Sequence, residues 1–456
     1  MRTSTSLVLL ICCLAMSAPS SEMVEAWISS ENGDYALSGG PPIPLTEIAP
    51  EADIVIDPAR VYQSILGMGA SFDHATCYNW SLLDEGARAE VIRKLFDREE
   101  GIGMNLMRLC IGTSDFVGEP YYSYNDLPEG ETDLELRRFS IEKDRDYILP
   151  AVKAAQAANP DLRFLASPWS PPGWMKTTGT MLAGKLKPEF YDVYARYLLR
   201  FIRAYEAEGV PIHALTLQNE PAHIDPNYPT CLWNGEEQRD FIRDHVGPLF
   251  TREGAAVKLW CWDHNYSRLE FPRAVLSDPE AARYVDGTAF HFYEGKVEAM
   301  SELKAEFPDK DIYFTEGSTF RTRGAIQIIG ILRHWARSYN AWVIMLDEHR
   351  KPNSGPHFAS RTCLEFDSKT REVTHHFDYY MYGQFMKFIR RDAVRVDSTL
   401  GDTRFNNIAV RNPDGALVLV VANASGAARE FSVRCGARGF AATTPARSVA
   451  TFRWKP

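Results

Sequence analysis

The stretch Leu215-Thr216-Leu217-Gln218-Asn219-Glu220-Pro221 is an apolar run that ends in an amide, a carboxylate and a proline. A proline closes a strand because it lacks the backbone N–H and restricts the residue before it. The pattern therefore predicts a β-strand with Asn219 and Glu220 at its C-terminal tip. Glutamate is rarely buried unless it is paired or used. The run Ile312-Tyr313-Phe314-Thr315-Glu316-Gly317 ends in the same way, which predicts a second glutamate at a strand tip.

These two runs belong to a longer series, in which short apolar runs alternate with amphipathic helical patterns from Ile65 onward. Runs that are apolar throughout suit a parallel sheet that is covered on its outer side. Eight alternations over about three hundred residues predict a (β/α)8 TIM barrel, in the α/β class. No G-x-G-x-x-G follows the first strand, which disfavours an open dinucleotide-binding sheet. The strand candidates are 65–72, 105–111, 163–167, 212–217, 257–262, 287–291, 312–315 and 341–346, and the helix candidates include 85–96, 144–158, 188–208, 236–250, 297–307 and 324–339.

Beyond Tyr382 the pattern changes to strand candidates separated by turn sequences such as Asn412-Pro413-Asp414-Gly415. This predicts a small C-terminal antiparallel β-sandwich, which at about seventy residues is too short to be complete alone. We therefore expect N-terminal strands to complete it. The predicted division is a signal peptide over 1–18, an irregular N-terminal segment over 19–50, N-terminal strands joining the β domain over 51–64, the catalytic barrel over 65–389 and the β-sandwich over 390–456.

The first residues have the layout of an export signal. Arg2 gives a basic start, an apolar run extends from Leu7 to Ala15, and small residues follow at Ser17 and Ala18. We expect a secreted or extracellular protein or, according to its source, a periplasmic or lysosomal one. The apolar run is too short to span a bilayer, and no later segment is long and apolar enough, so no stable membrane span is expected.

The charge and the cysteine and histidine content of the chain indicate which partners and cofactors to expect. The formal charge of −10, from 60 acidic and 50 basic residues, argues against nucleic acid as the main partner. Six cysteines remain once Cys12 and Cys13 leave with the signal, and no C-x-x-C occurs among them. Their pairing and the oligomeric state stay open. The histidines show no H-E-x-x-H or similar spacing, so we expect no metal and no cofactor.

In a barrel of this kind the active site is built at the C-terminal ends of the strands. Those ends carry two glutamates, several aromatic residues, an amide, an arginine and a histidine. A lone glutamate at a strand end is most often solvated or a helix cap, whereas two in matched positions favour catalysis. The candidate site residues are Asp73, Arg108, Trp169, Asn219, Glu220, His291, Tyr293, Glu316, Trp342 and Asp347.

This set suits the hydrolysis of a glycosidic bond. One acid must protonate the leaving oxygen, while a second carboxylate attacks the anomeric carbon or activates water. Tryptophans offer apolar platforms to sugar rings, and Asp, Asn and His bind hydroxyls. Glutamates on the fourth and seventh strands face each other across the barrel mouth, and a carboxyl separation of about 5–5.5 Å would make the mechanism retaining.

At these residues the chain resembles glycoside hydrolase family 30, the family of lysosomal glucosylceramidase. The resemblance extends from about Ile65 to Tyr382. It is carried by Gly67-Met68-Gly69-Ala70-Ser71-Phe72-Asp73, by Arg108 with Ser114-Asp115-Phe116, by the stretch 165–176 that contains Ser167-Pro168-Trp169-Ser170-Pro171-Pro172, by 216–221, by His291-Phe292-Tyr293 and by Phe314-Thr315-Glu316.

The resemblance implies a retaining β-glycosidase in which Glu220 is the acid/base and Glu316 is the nucleophile. It implies that Asp73 holds sugar hydroxyls, and we expect Asn219 to bind the 2-hydroxyl. Arg108 and Tyr293 are expected to keep Glu316 ionised, so Glu220 should have the higher pKa of the two glutamates. The remaining candidates, Trp169, His291, Trp342 and Asp347, are expected to bind substrate.

Three departures from the family pattern bear on the substrate. Gln218 stands where glucosylceramidase has an acidic residue and where polysaccharide-cleaving relatives carry Gln. The loop after Glu316 is much shorter than in the lysosomal enzyme, and Trp342 and Asp347 match only in part. We therefore expect a carbohydrate or glycolipid substrate, most readily a β-glucoside, with β-1,6-glucan, β-xylosides and β-fucosides as alternatives. A carbohydrate-binding homologue that has lost catalysis is the rival from another class.

Overall fold

The structure is a computed structural model that describes residues 23–47, 51–118, 120–356 and 361–455. The predicted signal peptide over 1–18 lies outside the described residues. All six cysteines after Cys13 are free thiols. Among the described residues, no helix has both the length and the apolar composition that a membrane span requires.

A barrel of eight parallel strands forms the larger part of the molecule. The strands are β1 (Gly67–Ala70), β2 (Leu106–Ile111), β3 (Arg163–Pro168), β4 (Ile212–Thr216), β5 (Lys258–His264), β6 (Gly287–His291), β7 (Asp311–Glu316) and β8 (Ser338–Ala341). β2 to β6 each pair in parallel with the next strand along the chain. β1 pairs in parallel with β8, and the bridges Ser71–Arg108 and Ile312–Ala336 join the two sheets and close the barrel.

The barrel interior is filled with side chains, as expected for this architecture. The rings of Trp260 on β5 and Tyr313 on β7 stack with their centroids 3.7 Å apart. They belong to one buried cluster to which six neighbouring strands each contribute a residue. This packed floor closes the interior, so the side chains at the C-terminal ends of the strands face a site that is open at one end only.

Helices cover the outside of the barrel. In the helix Tyr191–Ala207 buried residues recur every three or four positions, so one face of the helix packs against the barrel. The chain leaves this helix at Gly209, which has φ +81°. The predicted helix over 236–250 is interrupted by a π-helical turn, Ile242–Val246. The α-helices are His74–Ser81, Glu85–Phe96, Ile148–Ala158, Tyr191–Ala207, Gly235–Phe241, Gly247–Arg252, Glu270–Leu276, Pro279–Ala282, Glu298–Glu306, Arg321–Arg333 and Phe377–Met386.

The eighth strand is Ser338–Ala341, so the predicted strand over 341–346 is wrong. The predicted run is more apolar, but polar side chains in Ser338–Ala341 find partners on neighbouring strands. The Ser338 hydroxyl bonds the backbone of Phe314, and Nδ2 of Asn340 donates to the carbonyl of Leu106 at 2.7 Å. Met345–Asp347 instead joins a separate three-stranded sheet, whose other strands are Leu364–Phe366 and Val373–His375.

Strands from both ends of the chain form the β-sandwich, which confirms that N-terminal strands complete it. Ile54–Ser64 pairs with Val394–Ser398 on one side and with Arg429–Cys435 on the other. The strands are Met23–Ser30, Ser38–Gly39, Ile43–Pro44, Thr46–Glu47, Ile54–Ser64, Val394–Ser398, Phe405–Arg411, Leu417–Asn423, Arg429–Cys435, Arg438–Thr444 and Ser448–Trp454.

The prediction of an irregular segment over 19–50 is wrong for Met23–Ser30. This segment is a strand that pairs with Ser448–Trp454 along six residues and buries Val24 and Ala26. Its partner lies more than four hundred positions away in the chain. Its longest pairing is with a strand at the other end of the chain, which the local sequence does not reveal, and this explains the error.

One strand of the sandwich is buried on both faces. Leu417, Leu419 and Val421 point into the core of the sandwich, whereas Val418 and Val420 pack into the core that the sandwich shares with the barrel. Alternate side chains of a strand point to opposite faces, so Leu417–Asn423 packs against both. The two parts of the molecule are therefore joined by a continuous apolar contact.

Candidate active site

One cavity of 520 Å³ opens at the C-terminal ends of the barrel strands. β4 and β7 deliver the two glutamates from opposite sides of the barrel. Arg108 and His291 do not line the cavity, but they lie directly beneath it and contact its carboxylates. The predicted site residues that line the cavity are Trp169, Asn219, Glu220, Tyr293, Glu316 and Trp342.

Arg108 on β2 is fully buried and organises the floor of the site. Its Nη1 donates to Oε2 of Glu316, and its Nη2 donates to Oδ1 of Asn219 at 2.8 Å and to Oδ2 of Asp263 at 2.9 Å. Since Oδ1 of Asn219 is taken, the amide has its Nδ2 group to offer to a ligand. The fixed fork of the guanidinium therefore orients both an amide and a carboxylate of the cavity.

Glu316 is held from a second side by Tyr293. The hydroxyl of Tyr293 donates to Oε1 of Glu316 at 2.9 Å. The backbone N–H of Tyr293 in turn donates to Oδ1 of Asn265 at 2.9 Å. With Arg108 donating to one carboxylate oxygen and Tyr293 to the other, the side chain of Glu316 is held in one orientation.

His291 on β6 connects the two glutamates. Its Nδ1 lies 3.1 Å from Oε1 of Glu220 and 4.0 Å from Oε1 of Glu316, while its Nε2 lies 3.1 Å from Oδ1 of Asp263. Both ring nitrogens thus face carboxylates, and the ring is fully buried. The two glutamate oxygens lie close to one nitrogen, which brings them within about 7 Å of each other.

Asp263 is the hub of the network beneath the cavity, and it is absent from the sequence-based candidates. It is fully buried at the end of β5, where Trp262 and Asp263 have φ values of +74° and +67° and the ladder to β6 shifts register. Both its oxygens are engaged, by Arg108, His291 and the hydroxyls of Ser167, Thr216 and Thr315.

The pKa values of this network follow from its contacts. Burial would raise the pKa of Glu220, but the hydrogen bond with His291 and the nearby imidazoles hold that pKa below its ordinary value. Burial would lower the pKa of His291, but Glu316, Asp263 and Glu220 raise it to about 9. The resting proton of the Glu220–His291 pair therefore resides on the imidazole. The lowered pKa of Glu220 runs against the expectation that Glu220 would have the higher pKa of the two glutamates.

Backbone strain is concentrated at the same strand ends. Glu220 itself has φ +47°, and its N–H donates to the carbonyl of Asp263 at 3.0 Å. A non-glycine residue in this region costs free energy and persists only where surrounding contacts enforce it. Together with Trp262 and Asp263, Glu220 marks the tips of β4 and β5 as the strained edge of the cavity.

Two tryptophans form an aromatic wall. The rings of Trp169 and Trp342 stack at 5.2 Å, and the guanidinium of Arg108 lies 4.8 Å from the Trp169 ring. Phe116 meets Trp342 edge-to-face at 5.6 Å. Both rings line the cavity, and Trp342, the more exposed of the two, is placed to contact a bound sugar ring.

The structure removes two predicted residues from the cavity. Asp73 is fully buried and caps the helix His74–Ser81: its carboxylate accepts from Thr76 N–H and hydroxyl and from the Ser71 hydroxyl. Asp347 lies in the separate three-stranded sheet and accepts from the N–H groups of His349 and Lys351. Neither residue lines the cavity. The carboxylate of Asp73 caps a helix, and Asp347 belongs to the strand Met345–Asp347, which lies outside the barrel.

Two further cavity residues stand outside the list of candidate site residues. Asp115, in the loop after β2, is buried in the cavity wall, and desolvation raises its pKa well above the ordinary value, with Glu316 adding to the effect. His264, at the end of β5, places its Nδ1 3.5 Å from Oε1 of Glu220. Both lie at the C-terminal ends of strands, and that position was the signal that could have identified them.

One group of possible metal ligands occurs among the described residues. Glu220, His264 and His291 offer ligand atoms that all lie within 4.8 Å of one another. Two of these atoms, Nδ1 of His291 and Oε1 of Glu220, are already hydrogen-bonded to each other. The group is therefore arranged as a hydrogen-bonded pair, Glu220 and His291, beside the imidazole of His264.

Comparison with known proteins identifies the family. Residues 65–389 match the glycosyl hydrolase family 30 TIM-barrel domain, and residues 392–452 match the glycosyl hydrolase family 30 beta sandwich domain. The chain belongs to glycoside hydrolase family 30. It is accordingly a glycoside hydrolase, which acts on a carbohydrate substrate.

Relatives within family 30 carry two different names. The chain is 30% identical to an endo-1,6-beta-D-glucanase of Neurospora crassa, over 88% of each chain. It is 29% identical to the lysosomal acid glucosylceramidase of Mus musculus, over 88% of this chain and 83% of the relative. The solved structure of an endo-beta1,6-glucanase is 29% identical, with a TM-score of 0.87 over 95% of this chain and 99% of that one. SrfJ from Salmonella typhimurium reaches a TM-score of 0.89 at 25% identity, over 95% and 100% of the two chains.

Proposed function

We propose that this family 30 enzyme is a retaining β-glycosidase that hydrolyses β-glucosides by double displacement. The observation that carries the proposal is the shared contact of Glu220 and Glu316 with Nδ1 of His291, at 3.1 and 4.0 Å. That contact brings one oxygen of each carboxyl to within about 7 Å of the other, which is compatible with the carboxyl spacing of about 5–5.5 Å of a retaining enzyme.

In the first step Glu316 attacks the anomeric carbon, and the glycosidic bond to the leaving oxygen breaks. Arg108 and Tyr293 keep Glu316 ionised, so it needs no base to become a nucleophile. The proton that rests on Nδ1 of His291 passes to Glu220, its partner at 3.1 Å, and Glu220 delivers it to the leaving oxygen. In the second step Glu220, now a carboxylate, takes a proton from water; the water oxygen bonds to the anomeric carbon, the bond to Glu316 breaks, and the proton returns to His291.

The charges of the site suit the transition state. Arg108 and the protonated His291 offset two of the carboxylates Asp263, Glu220 and Glu316, which leaves one negative charge. An oxocarbenium-like transition state is positively charged, so this residual charge stabilises it more than the neutral substrate. Asn219 offers its Nδ2 group to the 2-hydroxyl, and the carboxyl of Asp115 is placed to bind a further hydroxyl.

The relatives' names favour β-glucosides but divide on the leaving group. The Neurospora crassa relative is named for β-1,6-glucan, and the mouse relative is named for a glucosylceramide. In both substrates the bond that is cleaved joins the anomeric carbon of a glucosyl unit to an oxygen, so the proposed chemistry is common to both. Activity on β-xylosides or β-fucosides would require a different fit of the ring substituents in the 520 Å³ cavity.

The test replaces each glutamate separately. We expect Glu316→Gln to lower kcat on an aryl β-glucoside by at least about 10³-fold, because the nucleophile is lost. Near-normal turnover of this variant would contradict the nucleophile assignment. We expect Glu220→Ala to be slow but to recover turnover of the aryl glucoside when azide is added, with a β-glucosyl azide as the product. An α-configured azide, or no rescue at all, would sink the retaining acid/base mechanism.

We also propose that the protein is exported and that residues up to Ser17 or Ala18 are removed. The basis is the signal layout of the N-terminus, with its basic start, apolar run and small residues. N-terminal sequencing of the protein secreted by its native host decides this, and an intact Met1 would contradict it.

A further inference from the structure

A second cavity of 270 Å³ adjoins the catalytic cavity. Ala222 and Arg268 line both, so the two spaces share a wall. We call this second space the Arg268 cavity. Its other lining residues come from the segments that follow β3, β4 and β5, namely Lys185, Leu232, Trp233, Asn234, Gly235, Glu236, Glu270 and Phe271.

The Arg268 cavity lies on the side of the site that carries Glu220. Ala222 follows Glu220 by two positions, and the N–H of Trp233 donates to the carbonyl of Pro221 at 2.7 Å. A general acid must contact the oxygen of the leaving group, so the leaving group extends on the side of Glu220. The Arg268 cavity is therefore placed to receive the next part of the substrate beyond the cleaved bond.

Arg268 is held in a strained conformation with an unused side chain. Its φ is +65°, and its carbonyl accepts from the N–H of Phe271 at 3.0 Å. The preceding loop is tied down because the N–H of Ser267 donates to the carbonyl of Glu294 at 3.2 Å. Within the part of the chain that the structure describes, the guanidinium of Arg268 has no hydrogen-bond or ion-pair partner. Its unpaired donors lie between the two cavities, where the oxygens of a bound ligand can accept from them.

The edge of this cavity is polar. Lys185 pairs with Glu237 at 2.7 Å, and Glu236 and Glu270 are exposed. Trp233 and Phe271 are only 3% and 6% exposed, so they present little apolar surface. The alkyl chains of a ceramide would gain little burial here and would desolvate charged groups. The hydroxyls of a sugar, by contrast, can accept from the guanidinium.

We propose that the Arg268 cavity is the leaving-group subsite, where Arg268 binds the hydroxyls of a saccharide unit. The leaving group is then a sugar, and the substrate is a β-linked glucan or gluco-oligosaccharide. This inference rests on the proposed β-glucosidase function and adds the class of leaving group to it.

The experiment compares leaving groups with and without sugar hydroxyls. We expect Arg268→Ala to lower kcat/KM on β-1,6-linked gluco-oligosaccharides about 10- to 100-fold, as for the loss of charge-assisted hydrogen bonds. The same variant should keep kcat/KM on an aryl β-glucoside within about twofold of the wild type, because that leaving group lacks hydroxyls. Arg268→Gly, which removes the side chain and relieves the positive φ, should behave alike. Arg137→Ala, at another exposed arginine, is the matched control and should change neither rate.

The affinity for an oligosaccharide can be measured in a variant that does not turn it over. Titrating Glu316→Gln with a β-1,6-linked gluco-oligosaccharide in a calorimeter should show binding that weakens at least about tenfold when Arg268→Ala is added. Equal losses on the aryl glucoside and the oligosaccharide would overturn the subsite, since Arg268 would then support the shared machinery. Unchanged oligosaccharide kinetics would overturn it as well, and so would a wild-type preference for glucosylceramide micelles over oligosaccharides. A wild type that cleaves no aryl β-glucoside would instead refute the proposed function.

Discussion

At the scale of single residues, His291 is the most constrained side chain of the active site. Its two ring nitrogens each lie 3.1 Å from a carboxylate oxygen, one on Glu220 and one on Asp263. Asp263 is itself paired with Arg108, so it takes the Nε2 proton as a fixed hydrogen bond and leaves the Nδ1 proton to be shared with Glu220. In the proposed mechanism His291 is thus a positioning residue that holds the proton which Glu220 delivers.

This arrangement makes a prediction about pH. Without His291 the alkaline limb of activity would be set by Glu220 alone, whereas in the wild type it is set by the pair, in which the imidazole pKa is raised to about 9. We therefore expect His291→Asn to move the alkaline limb of kcat/KM by at least about one pH unit toward lower pH. The measurement uses an unactivated alkyl β-glucoside, whose leaving group needs the proton.

His245→Asn is the matched control, because His245 pairs with Asp192 on the outside of the barrel. An alkaline limb that stays in place in His291→Asn, or that moves equally in His245→Asn, would refute the proton-sharing role. An activated aryl glucoside should show a smaller effect of His291→Asn, since its leaving group departs without protonation.

At the scale of elements, a buried carboxylate ties the barrel's outer layer together. Asp144, in the 3₁₀ turn Glu142–Arg145, accepts hydroxyl hydrogen bonds from Tyr122, Tyr124 and Tyr205 at 2.9, 2.6 and 2.5 Å. Tyr205 belongs to the helix Tyr191–Ala207, whereas the other two lie in the loop after β2. Burial raises the pKa of Asp144 to about 6, although the three hydroxyls oppose the shift.

A raised carboxyl pKa makes stability depend on pH with a definite sign. The folded protein holds the proton more tightly than the unfolded chain, so the contribution is present at low pH and is lost as pH rises toward about 6. We expect the free energy of unfolding of the wild type, relative to Asp144→Asn, to fall by on the order of 2–3 kcal/mol between pH 4 and 7. Denaturant unfolding at several pH values measures this difference. Asp146→Asn, at an exposed carboxylate nearby, should show no such trend, and a flat difference for Asp144→Asn would contradict the assignment.

A comparison of predicted and observed element bounds shows which elements the local sequence predicts. The helix Glu85–Phe96 and the strand Gly287–His291 have the predicted bounds, because cap residues and short apolar runs are local signals. The eighth strand does not, since Ser338 and Asn340 are buried only by virtue of partners on β7 and β2. A polar strand is stable in a core when its side chains are paired, and pairing across a sheet leaves no trace in the local sequence.

At the scale of the whole molecule, the two chain ends stabilise each other. Met23–Ser30 lies between Ser38–Gly39 and Ser448–Trp454 and covers the edge of the latter. Its Trp27 packs on Phe388 with centroids 4.5 Å apart, and Glu31, just beyond it, accepts from Thr322 of a barrel helix. The strand therefore connects the sandwich to the barrel.

Removing this strand should destabilise the protein as a whole. A variant that begins at Asn32 exposes the edge of Ser448–Trp454 and uncovers the apolar surface under Val24 and Trp27. We expect its Tm to fall by on the order of 10 °C and its tendency to aggregate to rise. The control variant begins at Met23 and keeps the strand, so it should melt as the full chain does. Equal melting of the two variants by calorimetry would contradict the structural role of the strand.

The sequence by itself determined which residues stand at the tips of the strands. An apolar run closed by a proline or glycine is a local signal, so Glu220, Glu316, Asn219 and Trp169 were placed correctly at the mouth of a barrel. Only the tertiary structure decided what those residues do to one another. Arg108, Asp263 and His291 come from three strands up to 183 positions apart, and their shared charges depend on distances across the barrel. Arg268 likewise lies between two cavities only because loops that follow different strands pack together.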